Sequence, residues 1–345
     1  VWLVLLIMLV KLLQLGGIVG GVAIILNMVW GGLTVPMAAF LVAVLVALMV
    51  FKGYYQLIER VSIVLIAIFT LFTFTSLYFL KYTEFALVGA DLIEGLSFKL
   101  PAASVAIALG AFGITGVGGD EIIHYNYWCL EKGYAARAGA NDGSLEWQQR
   151  VRGWLKVMRL DALLAMVIYT VVTSAFYLLG AAVLHAQQQV PESYAMIEAL
   201  STMYTATLGA GAKPFFLIGS FMVLFSTLFA ALAAWTRQYA DMFGQLKWIN
   251  FEDLEQRKKL IAILAWILPI TWALLFVYIK LPVIMVISGG IVGSALLLLV
   301  VFAALHFRYV RSIRAFKPGP AYDLWLWVSA VSIAVIAIMG FAKLI

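Results

Sequence analysis

Apolar runs of about 20 residues, the length that crosses the hydrocarbon core of a bilayer as a helix, return along the whole of this chain with short polar links between them. No other property of the sequence restricts the fold as much. The composition agrees: 65% of the residues are hydrophobic and 12% charged, with a mean hydropathy of +1.04, whereas a soluble domain carries about 25% charged residues. The chain therefore reads as an all-α, polytopic membrane helix bundle. Its 345 residues form a single transmembrane domain over 1–345 rather than two soluble ones, because spans follow one another too closely to leave a second core.

The expected spans are 1–29, 33–51, 61–80, 101–127, 155–184, 215–235, 260–279, 283–305 and 324–341, nine in all. Within the first, Gly16, Gly17, Gly20 and Gly21 make overlapping small-xxx-small pairs that let a neighbouring helix approach closely. Residues 194–204 suit a short amphipathic helix at the interface, and Ser288, Gly289 and Gly290 mark a weak point in the eighth span. Val1 opens the chain in mid-hydrophobic run, so a missing N-terminal part is expected. The run is also too long for the apolar core of a cleavable signal peptide.

Lys and Arg are unevenly distributed over alternate links. One set holds most of them, including Lys132, Arg137, Arg150, Arg152, Lys156, Arg159, Arg257, Lys258, Lys259, Arg308 and Arg311; the other holds only Lys81, Lys99, Lys213, Lys280 and Lys343. By the positive-inside rule the N-terminus of the chain is cytoplasmic and the fourth span runs from outside to inside, in a cell (plasma or inner) membrane. The net charge of +6 is thus a topology signal and not a nucleic-acid footprint, since no basic patch is interleaved with aromatics. The lone Cys129 permits no internal disulfide. His124, His185 and His306 are scattered, so no catalytic constellation is visible and the chain is not read as an enzyme.

Residues 110–127, GAFGITGVGGDEIIHYNY, break the pattern. Gly110, Gly113, Gly116, Gly118 and Gly119 each cost about 1 kcal/mol of helix propensity relative to alanine. A carboxylate at mid-membrane costs about 2.5–3.5 kcal/mol on insertion scales, so Asp120 and Glu121 need water, a cation or a partner. Irregular backbone is tolerated at that depth only in contact with protein or a cavity. A helix broken at 116–119, hinged at Gly113, Gly116, Gly118 and Gly119, would offer the carbonyls of Thr115 and Gly116 and the carboxylates of Asp120 and Glu121 to a cation. His124, three and four residues on, would face the carboxylates and could relay a proton. Plainer roles stay open: Asp120 and Glu121 as a helix cap with an acidic first turn, His124 as a structural histidine, Tyr125, Tyr127 and Trp128 as an interfacial belt, and Asp161 as a solvated charge.

Residues 108–124, ALGAFGITGVGGDEIIH, resemble the sixth transmembrane helix of the Nramp family of proton-coupled divalent metal transporters, whose pattern is close to G-x-x-G-A-T-x-M-P-H-N-x-x-x-H. Gly110, Gly113 and Thr115 match, and His124 falls at the second histidine. Residues 19–27 resemble the family's third helix, residues 53–59 (GYYQLIE) resemble the loop between its fourth and fifth, and the similarity extends in register over most of the chain. It implies a LeuT-like fold of inverted five-helix repeats, with the first two transmembrane helices, including an Asp-Pro-Gly-Asn motif, missing from this sequence. Val117 stands where the family has its metal-binding methionine, Gly118 and Gly119 replace proline and the first histidine, and Asp120 replaces asparagine. Oxygen ligands in place of a thioether favour harder ions, as in a divergent, Nramp-related branch. By register Ser288 is the nearest counterpart of the polar ligand on the family's tenth helix, while Leu15 and Ile18 occupy its acidic positions on the third.

The expected function is secondary transport of a divalent ion, Mn²⁺, Mg²⁺ or Fe²⁺, by alternating access around the break, with proton coupling through His124. The metal sites are Asp120, Glu121, Thr115, Gly116 and Ser288. No cofactor is implied beyond the ion as substrate; the partners are the ion, protons and the lipid bilayer, and the oligomeric state is left open. The alternatives are a LeuT-like carrier of a small organic substrate and a non-transporting membrane scaffold or fragment.

Overall fold

The computed structural model describes residues 1–52, 55–97, 104–115, 117–189, 193–250 and 252–344. Among them there is no strand. The helices are α1 (Trp2–Val29), α2 (Val35–Lys52), α3 (Tyr55–Phe79), α4 (Gly89–Gly95), α5 (Val105–Ile114), α6 (Gly119–Glu131), α7 (Tyr134–Ala138), α8 (Leu145–Leu179), α9 (Met196–Leu208), α10 (Ala212–Gln245), α11 (Leu254–Ile279), α12 (Pro282–His306) and α13 (Pro320–Leu344). Eight spans among the described residues are long and apolar enough to cross a membrane, one of them made of α5 and α6 together, and α2 holds a shorter apolar stretch, Val35–Phe51. The Lys99 and Pro101 ends of the fourth expected segment, and Gly53 and Tyr54 of the 53–59 motif, lie outside the described residues.

Several helices outrun the apolar runs that announce them. α8 begins at Leu145 because the polar residues before it cap it: the Ser144 amide donates to Oδ1 of Asp142 at 2.9 Å, and the Trp147 amide donates to the Ser144 hydroxyl at 3.0 Å. These bonds satisfy first-turn donors that would otherwise be orphaned. α11 starts in the same way, with Oδ1 of Asp253 accepting from the amides of Glu255 (2.9 Å) and Gln256 (3.2 Å).

The chain divides into two compact units, Val1–Leu100 with Val171–Gly289, and Pro101–Thr170 with Gly290–Ile345. In the first, α1 packs against α2, α10 and α11 around Met8, Leu15, Val19, Leu232, Trp235 and Trp272. Its glycines are the reason it can. A Cβ on Gly16 would sit 3.0 Å from the Trp272 carbonyl oxygen, one on Gly17 2.6 Å from the Pro282 carbonyl oxygen, and one on Gly21 2.9 Å from Cδ1 of Leu224. Lipid tails are as apolar as leucine, so helices in a bilayer associate through this kind of close backbone approach.

α9 covers the sequence-expected 194–204 helix but is shifted toward the C-terminus and tucked against α3 and α10. Tyr204 stacks on Phe72 with ring centroids 5.0 Å apart and planes at 3°. Its hydroxyl pairs with Oγ1 of Thr73 at 3.0 Å, which satisfies the polar tip of an otherwise buried ring. Ser76 and Thr207 pair one turn further along.

In the second unit α5 packs on α13, where a Cβ on Gly340 would meet Cδ1 of Leu109 at 2.6 Å. Beyond α12, Arg308 makes a two-pronged bond to Asp323, with Nε to Oδ1 at 2.5 Å and a terminal nitrogen to Oδ2 at 2.6 Å. That fork closes the connection into α13.

Candidate functional site

α5 ends because Thr115 leaves the helix into extended backbone (φ −82°, ψ 142°), with its amide still bonded to the Ala111 carbonyl. Its hydroxyl also donates to Ala111, at 2.7 Å, so the side chain is committed to its own helix. Gly116 lies outside the described residues. Gly118 is extended again (φ −68°, ψ 164°) and forms the N-cap of α6. Its amide donates to Oε2 of Glu121 at 2.6 Å, the Glu half of a capping box.

Glu121 therefore caps α6, and the capping role left open by the sequence is real. Capping does not use up the carboxylates. The point where a side chain at Gly118 would begin lies 3.2 Å from Oδ1 of Asp120, 3.3 Å from the Gly113 carbonyl oxygen and 3.5 Å from Oε2 of Glu121. Three oxygens from both sides of the break thus face one spot, kept open by the lack of a Cβ at residue 118. Asp120 and His124 are buried and Glu121 is exposed. Among the described residues no group of three or more His, Cys, Asp and Glu side chains is arranged to hold a metal.

The glycines around the break are used differently from the sequence expectation. None of the described ones takes a left-handed backbone; positive φ occurs at Gly133, Gly139, Gly143 and Gly209 instead. Gly113 lies buried within α5. A Cβ there would overlap the Gly290 carbonyl oxygen and come within 2.8 Å of the Ser294 amide nitrogen, and one on Gly119 would lie 2.9 Å from the backbone of Leu296 and Leu297. Close approach to α12 is what these positions require.

α12 is continuous through Ser288, Gly289 and Gly290, so the expected weak point in the eighth span is not a break. Gly289 admits Gln14 of α1, and Gly290 admits the Gly110 carbonyl. Ser288 belongs to the first unit and the 115–118 break to the second. Besides Gly290, the α12 residue that borders Gly113 is Ser294, buried and bonded through its hydroxyl to the Ile291 carbonyl at 2.6 Å. Sequence reasoning missed it, although its spacing of four from Gly290 places it on the same helix face.

Tyr125 and Asp161 also differ from their sequence readings. The Tyr125 hydroxyl donates to Oδ2 of Asp161 at 3.0 Å, both half-buried. They join α6 to α8 and are neither a free belt residue nor a solvated charge. In the first unit a separate cavity of about 790 Å³ is lined by Glu84, Asp91, Glu94, Tyr177 and His185 among others.

A family model described as Nramp, natural resistance-associated macrophage protein-like, matches residues 1–343. Among curated proteins none matches the chain.

Proposed function

The chain belongs to the Nramp family, whose members carry divalent metal ions across membranes, and on that premise we propose that it is a secondary transporter of Mn²⁺, Mg²⁺ or Fe²⁺ working by alternating access around the break between α5 and α6. The single observation that supports this site is the convergence of Asp120 Oδ1, Glu121 Oε2 and the Gly113 carbonyl on the space beside Gly118. A hard, all-oxygen set of this kind suits Mg²⁺ or Mn²⁺ better than a soft metal, in keeping with Val117 at the position of the family's methionine. The bundle works as one domain, in a LeuT-like arrangement within the cell membrane. The N-terminus faces the cytoplasm, because the basic links then lie inside.

In this reading Asp120 supplies the buried charge that draws the ion in. Glu121 alternates between capping α6 and holding the ion. The carbonyl of Thr115 completes the shell as the break opens. His124, three and four residues on from the carboxylates, relays a proton.

The test is uptake of Mn²⁺ and Mg²⁺ into proteoliposomes by the full-length protein. Asp120→Ala with Glu121→Ala should abolish uptake, and unchanged uptake would remove the site. Displacement of a labelled amine instead of competition between metals would move the assignment to an organic-substrate carrier.

A further inference from the structure

α8 is 35 residues long, about 52 Å at 1.5 Å per residue, while the hydrocarbon core is about 30 Å thick. The uncharged length that fills that core is its C-terminal part, so the turns from Leu145 to Arg159 project from it at the level of the headgroups and beyond. On those turns Arg152, Lys156 and Arg159 are all exposed. At 100° per residue they fall within about 60° of one another. The same stripe continues into Leu163, Met166 and Val167, which are 53%, 48% and 50% exposed. The face that meets lipid tails in the span is therefore the face that carries three cations where the helix leaves the hydrocarbon.

Three further observations give the stripe a direction. Neither acidic residue of this part of α8 lies on the stripe: Glu146 is about 120° around the helix from Arg152, and Asp161 is about 180° around and turned to the Tyr125 hydroxyl. Arg150 is occupied elsewhere, its Nε donating to the Ala138 carbonyl at 3.0 Å, whereas among the described residues Arg152, Lys156 and Arg159 make no ion pair or hydrogen bond within the chain. Trp154, on the same turns, stacks on Tyr134 with centroids 4.8 Å apart and under the Arg137 guanidinium at 5.4 Å. An aromatic platform of this kind is typical of headgroup depth.

We propose that Arg152, Lys156 and Arg159 form a binding surface for the phosphate headgroups of anionic phospholipids, whose acyl chains lie along Leu163, Met166 and Val167. Clusters of basic residues at the end of a spanning helix attract such lipids and lose the attraction beyond a Debye length. The two guanidinium groups can each grip a phosphate with paired donors. The surface does not depend on the metal site, and either orientation of the chain preserves it.

The experiment is thermal unfolding of the protein in nanodiscs of phosphatidylcholine with increasing phosphatidylglycerol, with bound lipids counted by native mass spectrometry. Phosphatidylglycerol should raise Tm and the number of retained anionic lipids. R152Q/K156Q/R159Q should lose most of both gains, and the charge-preserving R152K/K156R/R159K, which gives up the paired grip at two positions and gains one at the third, should lose much less. K247Q/K259Q, which removes exposed cations elsewhere, should behave as wild type. The proposal is overturned if the triple glutamine variant keeps the full lipid-dependent gain, if the K247Q/K259Q variant loses as much, or if inorganic phosphate in pure phosphatidylcholine discs reproduces the effect.

Discussion

Replacing Gly113 with alanine adds one methyl group at the tightest crossing in the second unit. Its Cβ would overlap the carbonyl oxygen of Gly290 and lie 2.8 Å from both the Gly290 carbonyl carbon and the Ser294 amide nitrogen. Ordinary contacts of a carbon atom fall well above 3 Å, so the overlapped Gly290 carbonyl oxygen forces α5 and α12 apart by more than about 1 Å. The obstructing atoms are backbone, which cannot turn aside as a side chain would. Overpacking of this kind costs about 1–3 kcal/mol, and backbone against backbone belongs at the upper end. Alanine returns about 1 kcal/mol of helix propensity, leaving a net loss of about 2 kcal/mol. Gly89→Ala is the internal control, since a Cβ there meets nothing within 4 Å and only the propensity gain remains. Thermal unfolding in detergent or nanodiscs should show Gly113→Ala lower in Tm by several degrees and Gly89→Ala unchanged or higher. If Gly113→Ala were as stable as wild type, the crossing of α5 on Gly290 would be wrong, and with it the placing of Gly113 beside the site.

Glu121→Gln keeps an acceptor for the Gly118 amide but removes the charge, so uptake should fall at least tenfold with Tm nearly unchanged; Glu121→Ala should in addition cost about 0.5–2 kcal/mol of capping. Equal Tm losses for the two would assign Glu121 to structure alone. Tyr125→Phe breaks the bond to Asp161 and should destabilise by about 0.5–1.5 kcal/mol, read by chemical denaturation. The same change in an Asp161→Ala background should add little, and full additivity would refute the coupling. Hydrogen bonding from the Ser144 hydroxyl, then from its amide, holds the Asp142 carboxyl below the usual carboxylate range. A lowered folded-state pKa stabilises above the ordinary Asp value of about 3.9 and is lost as pH falls through the folded value. Protection of the first-turn amides of α8 from hydrogen exchange, taken relative to the intrinsic rate at each pH, should therefore fall on acidification through that window, and much less so in Asp142→Asn.

The spans and the break were legible because their signals are local. Twenty apolar residues in a row, or Gly116 to Gly119 followed by two acids, carry their meaning without knowledge of the neighbours. Helix ends were less legible: α8 starts ten residues before its apolar run because Asp142 and Ser144 cap it, and hydropathy does not register a capped polar helix. Gly289 and Gly290 looked like a weakness for the same reason. Glycine lowers helix propensity wherever it stands, but here Gln14 and the Gly110 carbonyl fill the space it leaves, and α12 runs on unbroken. Tyr125 with Asp161, 36 positions apart, and Gly113 with Ser294 are pairs that only the folded chain brings together.

α12 touches the broken helix twice, at Gly290 and Ser294 before the gap and at Leu296 and Leu297 after it, so the two halves rest on a single rail about 10 Å long. Neither can tilt without sliding along or lifting from that rail. A tilt of one half alone changes the width of the gap, and a slide of both keeps it. A methyl group added at Gly113 would therefore lift the first half of the broken helix from α12, and one added at Gly119 the second.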